Sequence, residues 1–362
     1  MKRDIYAIVT AIMLSACGKQ QAPSDGVIAV SDDGTVDLVT EAEAVDFCKD
    51  KFCEPNYVIN LEAADTSIFR DYARPAINLQ EAWTRSTGAS VTVAVIDTGV
   101  DLNHPALKDS IAINAKELAG KSGTDDDGNG LIDDIYGYNF VSNNGDVNDD
   151  NYHGTHCSGL VVANGSTSKV WGVAPGAKLL PIKVLNNNGA GTVLNGTKGI
   201  YYAVSRGAKV ISMSWGTKAY SKILDDAVQY AIKNGVTVVA AAGNNGQNLD
   251  SNPFFPASSS GVISVGSVDS NGLLSFFSSF GKSVTIMAPG SLIISTTPGG
   301  KYTTVSGTSM ATPQVAGAIA LKLAVTPSAS PSSLKKNLCD SANKSLLDRT
   351  ECGTLNVGKM VK

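Results

Sequence analysis

Beyond about residue 90, apolar residues fall into short unbroken runs, with helical spacing between them. Residues 91–97 read VTVAVID, residues 209–215 KVISMSW and residues 236–242 VTVVAAA. Runs this rich in β-branched residues, without polar alternation, are the pattern of strands buried on both faces. Between the last two lies SKILDDAVQYAIKNG, in which Leu224, Ala227, Val228, Ala231 and Ile232 share one helical face and Gly235 supplies the stop. Strand, helix and strand repeated in this way predict an α/β fold, a mainly parallel central sheet with helices on both faces. A length of 362 residues with 43% hydrophobic content suits one large domain and a small amino-terminal piece. The net charge is only −4 and no basic cluster marks a nucleic-acid partner.

The amino terminus reads differently. Lys2 and Arg3 precede an apolar run from Ile5 to Ala16, too short to cross a bilayer and suited to a secretory signal. Leu14, Ser15, Ala16 and Cys17 look like a bacterial lipobox. On that reading residues 1–17 are a lipoprotein signal peptide, Cys17 is acylated and anchors the chain to a membrane of the cell envelope, and residues 18–26 are a flexible tether. An ordinary signal peptide with an incidental cysteine is the alternative. Six cysteines less Cys17 leave five. Cys48–Cys53 and Cys339–Cys352 are expected as local disulfides of an oxidising compartment, with Cys157 left as a free thiol.

Three motifs carry chemistry: VAVIDTGVD around Asp97, HGTHCSG from His153 and SGTSMATP around Ser309. A serine hydroxyl is a poor nucleophile until a base takes its proton, and the base needs a buried carboxylate to fix its tautomer. Asp97 ends a buried strand, which puts it at the carboxyl edge of the sheet, where open α/β folds place their chemistry. His153 is expected at a loop-to-helix start. Ser309 is expected at a helix N-terminus, where the helix dipole and its own N–H favour an oxyanion, with Pro313 in the first helical turn. The other histidines, His104 and His156, read as packing residues.

The order Asp, His, Ser, together with VVAAAGNNG ending at Gly246, makes the segment 66–362 resemble a subtilisin-like serine protease, a subtilase of the peptidase S8 family. The resemblance implies a three-layer sandwich and a secreted or lipid-anchored, monomeric serine endopeptidase acting on protein or peptide substrates. It places Asn244 in the oxyanion hole. It makes Ser214, Trp215 and Gly216, with Ala241 and Gly243, walls of the S1 pocket, and has Gly189 and Gly191 pair with the substrate backbone. Trp215, in place of a more usual leucine, either narrows that pocket or packs in the core. Gln314 replaces a histidine of the family pattern, and Cys157 lies beneath the base. Residues 18–65 then include a short propeptide-like segment, chaperone and inhibitor of the enzyme, with self-cleavage between Tyr57 and Thr66. The alternative from another class is a catalytically silent peptide-binding lipoprotein of the same fold.

The loop TDDDGNGLIDD carries a metal signal. Asp125, Asp127, Asn129, Leu131 and Asp133 occupy the alternate positions of an EF-hand loop, with Gly130 at the sharp turn. Tyr136 stands where the bidentate glutamate belongs, so the expectation is structural Ca2+ in a loop that is not a true EF-hand. A solvated acidic turn with Asx caps is the other reading. Ala106 and Ser166 depart from the family's usual calcium site, and none is expected there.

Overall fold

The computed structural model describes residues 71–362 except 166–169, together with the backbone of three short strands nearer the amino terminus. The chain divides into two units, residues 1–68 and 69–362. In the first, β1 (Val27–Val30) pairs antiparallel with both β2 (Val36–Val39) and β3 (Phe52–Pro55). The expected acylation at Cys17, the Cys48–Cys53 disulfide and the self-cleavage segment fall outside the described residues.

The second unit is built on the predicted parallel sheet. Its strands are β4 (Thr92–Asp97), β5 (Tyr138–Asn139), β6 (Lys178–Lys183), β7 (Val210–Met213), β8 (Thr237–Ala241), β9 (Ile263–Val268) and β10 (Ile286–Pro289). They lie in the order β10-β9-β8-β7-β4-β6-β5, every neighbouring pair parallel. From β4 the chain runs first to β5 and β6 on one side and then to β7 on the other. The order therefore reverses beside β4, and the carboxyl end of that strand, Asp97, sits at the crevice this creates.

Because side chains alternate along a strand, β4 feeds two cores. Val93 and Val95 join a core shared with helices α4 (His153–Val162) and α7 (Thr308–Val325), whereas Ala94 and Ile96 join one beneath α5 (Val193–Ser205) and α6 (Lys222–Lys233). Short helices α1 (Ala73–Ala76), α2 (Leu79–Trp83) and α3 (Ala115–Ala119) precede these. Each fully buried Leu or Ile contributes about 1.5–3 kcal/mol of transfer free energy. In α6 the Ser221 hydroxyl caps Leu224 N–H at 3.3 Å, and Gly235 beyond its end adopts φ +80°. Leu224, Ala227, Val228 and Ala231 are buried as the spacing predicts, and Ile232 only partly.

Helix α7 runs through the interior and is apolar on nearly all sides. Pro313 is its sixth residue, one turn deeper than expected. The missing N–H leaves the Ser309 carbonyl without its i+4 donor, and that oxygen instead accepts the Ser214 hydroxyl at 3.0 Å. Hairpin β11 (Ile293–Thr297) and β12 (Lys301–Val305) precedes α7. After it, α8 (Pro331–Ser341) is tied by the expected Cys339–Cys352 disulfide to the segment leading into α9 (Val357–Met360). Among the described residues no helix is long and apolar enough to cross a membrane.

Candidate active site

Asp97 and His153 meet where β4 ends and α4 begins. The Asp97 carboxylate is 1% exposed, and its Oδ1 lies 2.8 Å from His153 Nδ1 and accepts the Thr98 N–H at 2.7 Å. The backbone of α4 approaches the turn after β4 so closely that a Cβ on Gly154 would stand 2.2 Å from the Gly99 carbonyl oxygen. Only glycine fits there, which explains the HG pair physically.

Two carboxylates just before His153 lock this junction. Asp149 accepts the Thr98 hydroxyl at 2.8 Å, the Thr155 N–H at 2.9 Å and the Thr155 hydroxyl at 2.6 Å. It thereby joins the residue after Asp97 to the first turn of α4. Asp150 accepts from the Lys183 ammonium at 2.6 Å, and the same ammonium donates to the carbonyl oxygens of Thr98 at 2.5 Å and Leu185 at 3.1 Å. Lys183 ends β6 directly across from Asp97 in the parallel register and its side chain is 4% exposed. The sequence reading missed Asp149, Asp150 and Lys183. A lone lysine inside the apolar run LLPIKVL was the available signal, since lysine is almost never buried unless paired.

Burial by itself pulls the His153 imidazole down, but the facing Asp97 carboxylate outweighs it, and His153 is held well above its ordinary value of 6.5. The free Cys157 thiol lies beneath, 3.8 Å from His153 Nδ1 and 3.5 Å from the Ser309 carbonyl oxygen. Burial pushes this thiol up. It is therefore uncharged at neutral pH and the pull on the imidazole comes from Asp97.

Ser309 is the second residue of α7, as expected of a hydroxyl at a helix N-terminus. Its Oγ donates to the Ser214 carbonyl at 3.0 Å. Asn244 faces it. Asn244 Oδ1 accepts both the N–H and the hydroxyl of Thr308, at 2.8 and 2.9 Å, which assigns the amide so that Nδ2 is its free donor end. The position of a hypothetical Cβ on Gly307 lies 3.4 Å from Asn244 Nδ2 and 3.6 Å from Ser309 N. The two nitrogens thus border one small space, which a side chain at residue 307 would fill.

The other residues named from sequence take varied places. Ser214, Trp215 and Gly216 follow β7, and Ala241 and Gly243 lie at and just beyond the end of β8. Trp215 donates from its indole to the Ile96 carbonyl at 2.7 Å, packs against Gly196 of α5 and is partly buried. Gly189 (φ +71°) and Gly191 sit in a loop bridged to Leu185. Gln314 is buried and donates to the Pro289 and Met310 carbonyls. His104 and His156 are fully buried, with Nε2 donating to the Lys301 and Thr303 carbonyls at 3.1 and 3.2 Å.

In the acidic loop, Asp125 turns both oxygens onto its own backbone, accepting from Gly128, Asn129 and Gly130. Those N–H groups, Gly130 foremost, hold its carboxyl below the usual range. Asp133 accepts Gly123 N–H, and Asn129 Oδ1 accepts Leu131 N–H. The carboxylates that converge are Glu117, Asp127 and Asp134, each offering an oxygen within 4.8 Å of the others. Asp127 alone belongs to the set expected from sequence. Asp134 is fully buried against Arg206 and the Tyr202 hydroxyl, a tertiary arrangement with no local spacing to announce it.

Comparison with known proteins agrees with this geometry. The Subtilase family model matches residues 88–355. Thermitase from Thermoactinomyces vulgaris is 41% identical over 254 residues, covering 70% of this chain and 81% of that protein. Subtilisin DY from Bacillus licheniformis is 41% identical over 256 residues, covering 70% and 84%. A crystal structure of a cold adapted subtilisin-like serine proteinase superposes with a TM-score of 0.62 at 33% identity, covering 74% of this chain and 89% of that one. A family match across most of the chain, joined to the parallel sheet and the residues gathered at its carboxyl edge, establishes that the chain belongs to the subtilase family and is a serine-type endopeptidase.

Proposed function

We propose that Ser309 is the nucleophile, His153 the general base and then general acid, and Asp97 the group that orients and stabilises the imidazolium. The observation that carries this reading is the buried Asp97–His153 contact at 2.8 Å, together with a serine whose backbone nitrogen and Asn244 Nδ2 lie 3.6 and 3.4 Å from the place a Cβ on Gly307 would take. Rotation of the Ser309 hydroxyl from the Ser214 carbonyl toward His153 Nε2 starts the reaction. The imidazole takes the proton as Oγ attacks the peptide carbonyl carbon. The negative charge that forms on the carbonyl oxygen is met by Ser309 N–H and Asn244 Nδ2, donors held in place before the reaction begins. His153 then gives its proton to the leaving amine, and water reverses the sequence on the acyl-enzyme. Hydrolysis of casein by the wild type, lost in Ser309→Ala, is the test; an active Ser309→Ala protein overturns the assignment.

The same proposal extends to export and processing. Acylation at Cys17 anchors the chain to the cell envelope, and residues 18–65 restrain the enzyme until it cleaves itself between Tyr57 and Thr66. The lipobox and the cysteine usage support this. Amino-terminal sequencing and palmitate labelling of wild type, Cys17→Ala and Ser309→Ala decide it: unlabelled wild type, or a Ser309→Ala chain processed as the wild type is, overturns the respective part.

Calcium completes the proposal as a structural ion. The donors gathered around Asp127 are all oxygens, with Glu117 and Asp134 adjoining, which fits a hard cation. These residues would hold it, and its charge would fasten the acidic loop to α3 and to the Arg206 end of α5. A calcium-dependent rise in Tm, lost in Asp127→Asn, is expected; identical melting with calcium and with EGTA overturns it.

A further inference from the structure

We infer that Phe254 closes the floor of the pocket for the residue on the acyl side of the scissile bond (P1), so that this protease cleaves after small residues and not after aromatic ones. The inference rests on the proposed role of Ser309 and names the substrate class of that same site.

The segments leaving β7 and β8, which the family resemblance makes the pocket walls, are both tied to the turn that carries Ser309. The Ser214 carbonyl accepts the Ser309 hydroxyl at 3.0 Å, and the Gly243 N–H donates to the Thr308 hydroxyl at 3.2 Å. Gly216 and Gly243 bring no side chains to the space between the walls. Without another group there, the slot would admit a large ring. Phe254 is that other group. A Cβ on Gly216 would stand 2.4 Å from its Cε1 and 2.9 Å from its Cζ, and one on Gly243 would stand 3.3 Å from its Cδ1. A single phenyl ring thus touches both walls.

The ring is held there. Phe254 N–H donates to the Ser258 hydroxyl at 3.0 Å, and Phe255 exchanges hydrogen bonds with Thr217 in both directions, each 2.8 Å. These contacts fix the backbone on the C-terminal side of the ring, while the ring rests on the small core formed around Ala242 and Leu249. It remains partly exposed, unlike a residue sunk wholly in the interior. Trp215 does not compete for the space, because its indole turns to Ile96 and Gly196.

A misfit of one methylene in an apolar pocket changes kcat/KM on the order of 10–200-fold, and a phenyl group is larger than that. The test uses the full chain and a set of peptide p-nitroanilides that differ only in alanine, leucine or phenylalanine at P1. Wild type is expected to favour alanine over phenylalanine by at least ~10-fold. Phe254→Ala should move that ratio at least ~10-fold toward phenylalanine, with Phe254→Leu between. The ratio is measured within one preparation, so it does not depend on the fraction of active enzyme; should Phe254→Ala not fold, wild type and Phe254→Leu decide. Wild type that turns over phenylalanine as fast as alanine, or a ratio unmoved by substitution, overturns the inference while leaving the catalytic assignment intact. A chain that hydrolyses casein but no member of the set overturns the inference alone, and a chain that hydrolyses neither refutes the catalytic reading and this inference with it.

Discussion

Two acidic stretches lie close together in this chain and do opposite things. In the loop around Asp125 the carboxylates mostly face their own backbone: Asp125 gathers the N–H groups of Gly128, Asn129 and Gly130, and Glu117 gathers those of Asp126, Asp127 and Asp133. At Asp149 and Asp150 the carboxylates reach outward, to Thr98 after β4, to Thr155 in α4 and to Lys183 at the end of β6. The first stretch holds a loop in shape. The second holds separate elements at the angle that presents His153 to Asp97. A carboxylate's composition and neighbours in sequence do not say which of these it does; the partners it reaches decide.

The comparison breaks most sharply at the carboxylate that touches the base. Asp97→Asn should lower kcat by about 10⁴-fold, the loss that follows when the imidazole is held in the wrong tautomer. The pH profile reports the same contact. The proposed mechanism needs neutral His153, whose proton is held above the ordinary 6.5, so kcat/KM of the wild type should rise along an acid limb lying above that pH. Removing the carboxylate leaves burial alone, and the limb should move down. The linked stability has the matching sign: the pair stabilises the fold fully below about pH 6.5, the unfolded imidazole value, and loses that contribution as pH rises through the raised folded value. A limb that stays in place in Asp97→Asn would assign it to another group.

Asp149→Ala should follow with a loss of up to about 100-fold in kcat, because the clamp that joins Thr98 to Thr155 sets the approach of His153 to Asp97 without touching substrate. KM should change little, and steady-state kinetics on a short peptide checks both parameters. Lys183→Met is expected to act on stability first. It strands the buried carbonyls of Thr98 and Leu185, a cost of about 1–3 kcal/mol, and thermal melting should show a fall of several degrees. Asp125→Asn should have the smallest effect, with kcat unchanged and melting in EGTA close to wild type. A large kinetic loss there would erase the distinction between the two stretches.

Much of the site was legible because its signals are local. VTVAVID ends a buried strand in a carboxylate, HGTH starts a helix against a turn that only glycine tolerates, and GTS places a hydroxyl at a helix N-terminus. Each depends on residues within one turn or strand. Pro313 was placed too early because the sequence shows a helix start but not which carbonyl a proline can leave to another partner; here Ser214 supplies it. The acidic loop was read by EF-hand spacing, yet Glu117 and Asp134 join Asp127 through the packing of α3 and α5, which spacing cannot express.

The sequence by itself therefore determined the alternation of strands and helices and the placement of the carboxylate, imidazole and hydroxyl of the proposed mechanism at strand and helix ends. Backbone sterics, hydrophobic period and capping act over a few residues, and a linear reading captures them. Tertiary structure alone decided that Lys183 and Asp150 brace the Asp97 turn, that Trp215 turns into the core, and that Phe254 stands between Gly216 and Gly243. Those outcomes depend on strand register and on which side chains of distant segments fill a shared space, and close packing settles them only when the whole sheet is assembled.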